Sequence, residues 1–241
     1  MRILSSRDYD QMSRRAAYVV AGQVLSKPRS VLGLATGETP LGLYRELVRF
    51  FQEGDLDFSD VVTFNLDEYL GLPRHDPHSY AWYMEEHLFR FVNVAPERRH
   101  IPDGTAADPG AECLRYERTL EAAGGVDLQI LGLGRDGHIG FNEPDVKFEK
   151  GTHVVELAES TIQANARFFP SPDQVPTRAL SMGIKTIMSA KRILLLASGK
   201  EKADAIAAAV RGPVTPDLPA SVLQLHPDAT FVVDAAAASN L

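Results

Sequence analysis

Cysteine is nearly absent from this sequence, because Cys113 is the one cysteine among 241 residues. One cysteine cannot form an internal disulfide, which excludes a disulfide-stapled scaffold. Disulfides are rare in the reducing cytosol, so this composition predicts a cytoplasmic protein. Cys113 lies in a helical pattern without a histidine, which favours a packed thiol over a nucleophile.

Basic residues are also in deficit, with 25 Lys and Arg against 32 Asp and Glu and a formal net charge of -7. An acidic chain repels nucleic-acid phosphates and anionic membrane surfaces. The basic clusters are short, and no apolar run is long enough to cross a bilayer. We therefore expect a soluble protein with no nucleic-acid and no membrane partner.

Short apolar runs alternate with amphipathic helical patterns along the chain. Apolar strands without strict alternation, separated by helices, indicate a parallel sheet covered on both faces. The sequence therefore predicts an α/β, doubly wound, mostly parallel sheet with helices on both faces, as a single domain over 1–241. Ligands of such sheets bind beyond the carboxyl ends of the strands. The strand candidates are residues 30–35, 61–66, 126–133, 152–157, 193–197 and 230–233, and the helix candidates are 9–24, 41–51, 79–91, 109–123 and 200–211.

The first strand-end loop combines small, hydroxyl and proline residues at a helix start. Gly37 permits a tight turn, and Thr36 and Thr39 place hydroxyls beside backbone N–H groups. Such a loop can bind a phosphate at the helix N-terminus. A capped helix start without a ligand is the alternative. Glu38 is unfavourable in an anion site unless its side chain points away.

The second loop carries two adjacent acids, Asp67 and Glu68, directly after a buried strand. Acids in this position often cap a helix, and they can also supply a general base at the catalytic edge of the sheet. The sequence leaves these two interpretations open.

The third loop, residues 132–144, is rich in glycine and contains Asp136, His138 and Glu143. Its glycines match G-x-G-x-x-G, but that fingerprint must open directly into a helix, and here Gly140 and Pro144 interrupt the sequence. We therefore reject dinucleotide binding. A histidine flanked by carboxylates is suited to proton transfer. The spacing matches no recognised metal site, so we expect no metal.

The fourth loop follows the strand candidate at 193–197 and places Lys202 at a helix start after a Ser-Gly turn. This arrangement fits an anion site, although a helix with solvated lysines is the alternative. Arg167, before two phenylalanines, is a second candidate cation.

Taken together, these segments resemble the glucosamine-6-phosphate deaminases of the glucosamine/galactosamine-6-phosphate isomerase family. The resemblance covers nearly the whole chain in the family's order and spacing, and it implies a Rossmann-like fold of the deaminase/ribose-5-phosphate isomerase type. The run GHIGFNEP at 137–144 is the most specific segment. The other matching segments are 32–40, 64–69, 165–169, 174–176, 198–203 and 223–227.

The resemblance implies conversion of glucosamine 6-phosphate to fructose 6-phosphate and ammonia, without metal or cofactor. It implies that Asp67 moves a proton between C2 and C1 of the open-chain sugar. It also implies that His138 shuttles a proton to the ring oxygen, held by Asp136 and Glu143.

The substrate phosphate is bound, by the same resemblance, by two cations and the first loop, and residues near 156–176 form a lid. The oligomeric state stays open, a homo-oligomer included. The implied phosphate-binding residues are Thr36, Gly37, Thr39, Arg167 and Lys202.

The sequence departs from the family in two places. Many members have a second glycine or small residue where this chain has Glu38, which affects the geometry of the phosphate site. Allosteric members carry an Arg and a Lys where this chain has His153 and Val155. We therefore expect no activation by N-acetylglucosamine 6-phosphate.

Three alternative functions fit parts of the sequence. A 6-phosphogluconolactonase has a similar G-x-G-x-D-G-H stretch but lacks the Phe-Asn-Glu-Pro that follows here at 141–144. A sugar-phosphate-sensing regulator requires a DNA-binding region, and no basic recognition helix is evident. An oxidoreductase would depend on the glycine triplet alone.

Overall fold

The computed structural model describes the backbone of residues 1–241 and every side chain except those of Ala164 and Pro172, which fall inside the predicted lid and lie outside the described side chains. Ten strands and seven α-helices make up the chain. The strands are β1 Arg2–Ser6, β2 Val31–Leu34, β3 Val62–Asn65, β4 Asp67–Tyr69, β5 Arg99–His100, β6 Leu128–Leu131, β7 His153–Glu156, β8 Arg178–Ser181, β9 Arg192–Ala197 and β10 Ala229–Asp234. The helices are α1 Tyr9–Ser26, α2 Leu41–Gln52, α3 Tyr80–His87, α4 Pro109–Ala122, α5 Glu159–Asn165, α6 Ile184–Met188 and α7 Ala203–Arg211.

The central sheet has seven strands in the order β1-β10-β9-β6-β2-β3-β5. All neighbouring pairs in it are parallel. The chain builds outward from β2 in one direction and from β6 in the other, so the boundary between β2 and β6 is the topological switch point. This arrangement confirms the predicted doubly wound α/β fold.

The interior strands are the continuous apolar runs of the sequence. Every residue of β2, β6 and β10 is buried, as is all of β9 except its first residue. Strands that are covered on both faces show no alternation of apolar and polar residues. Helices α1 and α4 begin at side-chain caps, because Asp8 accepts a hydrogen bond from the N–H of Gln11 and Asp108 accepts one from the N–H of Ala111.

A second, antiparallel sheet of three strands, β4-β8-β7, lies outside the sequence prediction. The strand predicted at 152–157 forms, but it pairs with β8 in this small sheet and not with the central one. Strand β4 follows β3 after a single residue, Leu66, and so moves the chain from one sheet to the other immediately before the predicted base. Among the described residues, no helix has the length and apolar character that a bilayer crossing requires.

Candidate active site

The carboxyl ends of β2, β6 and β9, together with the start of β4, border one cleft of about 1320 Å³. Eight of the nine predicted site residues line it, and they come from segments as far apart as residues 36 and 202. Glu143 is the exception and lines a neighbouring cavity of about 160 Å³. The residues in the cleft are Thr36, Gly37, Thr39, Asp67, Asp136, His138, Arg167 and Lys202.

The β2–α2 loop, residues 35–40, ends at the N-terminus of α2. Gly37 has φ of +92°, a conformation that glycine adopts at little cost. The N-cap residue of α2 is Pro40, whose side chain makes no capping hydrogen bond. The N-terminal end of a helix with free N–H groups carries partial positive charge. An anion in the cleft would therefore be stabilised at this loop.

Glu38 also lines the cleft, and its carboxylate pairs with Arg167. Its Oε2 lies 2.8 Å from an Nη of Arg167, and both side chains are 58% exposed. The same guanidinium packs over the ring of Phe168 at 4.7 Å from the centroid. The acid that is unfavourable in an anion site thus has a partner, and that partner is one of the two predicted phosphate-binding cations.

Lys202 supplies the second cation of the cleft, on a 3-10 turn over Lys200–Lys202. Burial lowers the pKa of Lys202, and the nearby Arg135 adds to this effect while Glu201 opposes it. The turn is anchored by Asp234, which accepts hydrogen bonds from the Ser198 hydroxyl and the Gly199 N–H. Sequence reasoning missed Arg135, although it lies inside the glycine-rich loop and lines the cleft.

The sequence left helix capping and base chemistry open for Asp67 and Glu68, and in the structure the two residues have different surroundings. Glu68 caps α3, because its carboxylate accepts hydrogen bonds from the N–H groups of Tyr69, Tyr80 and Ala81. The carboxylate of Asp67 accepts no hydrogen bond from the described residues and faces the cleft. Burial and the neighbouring Glu68 raise the pKa of Asp67 to about 8. Its ionised form is therefore a much stronger base than an exposed aspartate.

His138 is held against Asp136. Its Nδ1 lies 2.7 Å from Oδ1 of Asp136, although the ring N–H is not aimed along a hydrogen-bond direction. The same oxygen accepts the backbone N–H of His138 at 3.1 Å. Burial by itself raises the pKa of Asp136, but its contacts with His138 outweigh this and hold the pKa at about 2. Gly134 makes room for the ring, since a Cβ there would lie 2.3 Å from Nδ1.

Glu143 does not contact His138 in this structure. Its carboxylate accepts hydrogen bonds from the N–H of Ala158 and the hydroxyl of Thr161, at the start of α5. The free N–H groups of a helix start attract a carboxylate, which accounts for this orientation. The structure therefore leaves Asp136 as the carboxylate beside His138 and places Glu143 on the segment predicted as a lid.

A second apolar cluster lies under that segment. Phe141, Leu157 and Ala179 pack around Tyr69, with Phe169 against it at an edge-on ring distance of 5.9 Å. The Asn165 side chain donates to the hydroxyl of Tyr69 at 2.8 Å. Residues 157–169 are thus tied to the floor of the cleft by apolar and polar contacts.

Groups of three or more His, Cys, Asp or Glu side chains placed to hold a metal ion were not found among the described residues. The cleft instead presents a buried carboxylate, a carboxylate-paired imidazole and two cations beside a helix N-terminus. This set can move protons on a small molecule that carries an anionic group.

The known proteins that this chain resembles act on small phosphorylated sugars, in agreement with the chemistry of the cleft. The family model described as glucosamine-6-phosphate isomerases/6-phosphogluconolactonase matches residues 7–232. A glucosamine-6-phosphate deaminase of Clostridioides difficile (strain 630) is 57% identical over 241 residues, covering 100% of this chain and 97% of the relative. A solved structure described as a monomeric glucosamine-6-phosphate deaminase has a TM-score of 0.98 at 50% identity and full coverage of both chains. A 6-phosphogluconolactonase from Trypanosoma cruzi has a TM-score of 0.77 at 21% identity, covering 100% of this chain and 96% of that one, and so shares the fold.

Proposed function

The chain belongs to the family of glucosamine-6-phosphate isomerases and 6-phosphogluconolactonases, and we propose that it converts glucosamine 6-phosphate to fructose 6-phosphate and ammonia by acid–base catalysis at Asp67 and His138. The activity is deamination with aldose–ketose isomerisation. The observation that carries the assignment of residues is that Asp67, His138 and the two cations line one cleft. We place the phosphate of a six-carbon phosphoester at the cations and its reacting carbons at Asp67, within a cleft of about 1320 Å³.

Phosphate binding positions the sugar. Arg167 and Lys202 attract the dianion, and the β2–α2 loop in the same cleft offers backbone N–H groups to it. Binding energy at the phosphate holds C1 and C2 near Asp67, so that less entropy is lost when the reaction begins.

Ring opening uses His138. The imidazole takes the proton of the C1 hydroxyl and delivers a proton to the ring oxygen, so that the bond between C1 and the ring oxygen breaks and the aldehyde forms. Asp136 stabilises the charged imidazole and fixes its orientation, since its pKa of about 2 keeps it ionised at neutral pH.

Proton transfer between C2 and C1 uses Asp67. Its carboxylate takes the proton from C2 while the substrate ammonium gives a proton to the aldehyde oxygen, which yields an enolamine. Return of the proton from Asp67 to C1 gives the C2 iminium, and water then replaces nitrogen at C2 with release of ammonia in its protonated form. No electron is gained or lost overall, so the route requires no redox cofactor, and we propose that it requires no metal.

The segment near 156–176 acts as the lid over this cleft, within a single domain over 1–241. Three contacts support this role: Arg167 with Glu38, Asn165 with Tyr69, and Glu143 with the start of α5. Lid closure removes water from Asp67 and so strengthens it as a base.

One chain supplies the whole cleft, so we infer that a monomer is active and that a homo-oligomer is not required. Light scattering of the active fraction across a range of concentrations tests this. We place the enzyme in the cytoplasm, which the free thiol of Cys113 supports.

The decisive experiment is an ammonia-coupled assay with glucosamine 6-phosphate in the presence of a chelator. The wild type releases ammonia, and Asp67→Asn loses roughly 10²- to 10⁴-fold in kcat, the usual contribution of a placed proton-transfer group. Phosphate binding survives in the variant. Hydrolysis of 6-phosphogluconolactone without ammonia release would refute the assignment, and loss of activity to the chelator would refute metal independence.

A further inference from the structure

Three tyrosine hydroxyls bind the backbone carbonyls of the β2–α2 loop. Tyr44 donates to the carbonyl of Ala35 at 2.5 Å, and Tyr83 donates to that of Gly37 at 2.6 Å. Tyr9 donates to the carbonyl of Glu38 at 3.0 Å. The three side chains come from α2, α3 and α1, so three separate helices fix one short loop.

Because the peptide bond is planar and trans, hydrogen bonds that fix these carbonyls also fix the directions of the N–H groups that follow them. In each peptide unit the carbonyl of one residue points opposite to the N–H of the next. The bound carbonyls of Ala35, Gly37 and Glu38 therefore direct the N–H groups of Thr36, Glu38 and Thr39 away from the hydroxyls. None of these three N–H groups donates a hydrogen bond to a described residue.

Tyr9 also replaces the missing side-chain cap of α2. Its oxygen accepts the N–H of Gly42 at 2.7 Å, in the first turn of that helix. The N–H of Leu41 is directed to the carbonyl of Glu38 at 3.3 Å. The first two N–H groups of α2 are thus paired, whereas those of Thr36, Glu38 and Thr39 are not, and their loop lines the cleft.

We propose that Tyr83, together with Tyr9 and Tyr44, positions the β2–α2 loop so that the N–H groups of Thr36, Glu38 and Thr39 bind the phosphate of the substrate. These tyrosines are positioning residues, because their hydroxyls act on the carbonyl side of the loop. The inference rests on the proposed function, which assigns the substrate phosphate to this loop. The ligand class is a phosphate monoester dianion.

Tyr83 is the best residue for a test. Burial raises the pKa of Tyr83 well above its ordinary value, so the hydroxyl stays protonated and donates at every assay pH. Tyr83→Phe removes only the hydroxyl and leaves the carbonyl of Gly37 free to rotate. Loss of one such hydrogen bond corresponds to roughly a 3- to 10-fold change in a binding constant.

The experiment measures KM for glucosamine 6-phosphate and the inhibition constant of inorganic phosphate. We expect Tyr83→Phe to raise both by about 3- to 10-fold, with kcat within about twofold of the wild type. Titration of ¹⁵N-labelled protein with phosphate gives a direct readout. The amide signals of Thr36, Glu38 and Thr39 shift in the wild type, and that of Glu38 shifts less in the variant.

Tyr116→Phe is the matched control. The Tyr116 hydroxyl donates to the carbonyls of Asn65 and His100, at 2.7 and 3.1 Å, and does not touch the β2–α2 loop. Its removal lowers the melting temperature but leaves the phosphate inhibition constant unchanged. Tyr9→Phe is the second test variant if Tyr83→Phe does not fold.

Two results would overturn the inference: an unchanged phosphate constant in the folded tyrosine variants, or an equal rise in Tyr116→Phe. The phosphate titration distinguishes failure of the positioning role from failure of the proposed function. If the wild type releases no ammonia, phosphate binding still reports on the loop. If ammonia is released but phosphate binds Tyr83→Phe as tightly as the wild type, only the positioning role is wrong.

Discussion

Replacement of Asp67 by asparagine should stabilise the folded protein while it abolishes activity. Asp67 is 6% exposed, and burial with the nearby Glu68 raises its pKa to about 8. An aspartate in an unfolded chain titrates near pH ~3.9. Between these two values the folded state holds a proton that the unfolded state has released. The free energy of unfolding of the wild type therefore falls as pH rises through this window, and asparagine removes that dependence.

The gain in stability of Asp67→Asn depends on the pH range between the unfolded and folded pKa values of Asp67. Each pH unit inside it corresponds to about 1.4 kcal/mol of unfolding free energy. From pH 5 to pH 7, the advantage of Asp67→Asn over the wild type should grow by about 3 kcal/mol. For a chain of this size, that is an increase in Tm of roughly 6 °C or more. The advantage should be smaller at pH 5, about 1.5 kcal/mol, and should vanish only below pH ~4, where the aspartate of the unfolded chain is protonated as well.

The assay is denaturant or thermal unfolding of both proteins at several pH values from 5 to 8, with activity measured in parallel. Asp127→Asn is a matched control with the opposite sign. Asp127 lies 2.7 Å from the ammonium groups of both Lys27 and Lys191. Burial works against its ionisation, but these partners hold the pKa of Asp127 below its ordinary value. Asp127→Asn should therefore be less stable than the wild type at neutral pH, and the difference should shrink in acid.

An Asp67→Asn variant whose stability advantage stays constant from pH 5 to pH 7 would refute the raised pKa of Asp67. That result would mean that the carboxylate ionises in the fold at little cost. The source of its basicity would then have to lie outside the buried position that the structure gives it.

Four further predictions concern the cleft, the residues around it and the effector. The kcat/KM of the wild type should rise with pH through about 8, because Asp67 must lose its proton to act as a base; a limb near pH ~4 would contradict its buried position. Glu38→Gln should lower the inhibition constant of phosphate by up to about fivefold at low salt, since it frees Arg167 from a surface pair, and an unchanged constant would show that the pair does not compete with phosphate. Glu143→Gln should increase proteolysis within α5, measured by limited digestion, because it weakens the contacts at the start of that helix; equal digestion of both proteins would argue against an anchoring role. N-acetylglucosamine 6-phosphate should leave the rate curve hyperbolic and unchanged, and a clear activation would refute the argument from His153 and Val155.

The glycine-rich loop shows where sequence reasoning was sufficient and where it was not. The loop's position after a buried strand brought Asp136 and His138 into the cleft as predicted. The same reasoning placed Glu143 beside His138, but its carboxylate turns to the start of α5 instead. Residues two apart in a tight loop share their neighbourhood, whereas a residue five positions further on is free to find another partner.

The small antiparallel sheet is a part of the fold that the sequence could not predict. Strand β4 has three residues, and its partner β8 lies more than 100 positions away in the sequence. Nothing in so short a segment distinguishes it from a loop, because pairing with a distant strand is what makes it a strand. Its location nevertheless decides how Asp67 enters the cleft.

The sequence by itself determined the α/β class, the central strands and the loops that carry chemistry, because burial and residue period are encoded locally. Apolar runs such as β6 and β9 can lie only in a covered sheet, and parallel strands gather their carboxyl ends at one edge. Tertiary structure alone decided that Glu38 binds Arg167, 129 positions away, and that three tyrosines fix the β2–α2 loop. Such contacts depend on how whole elements pack, and no local pattern records which side chains that packing brings together.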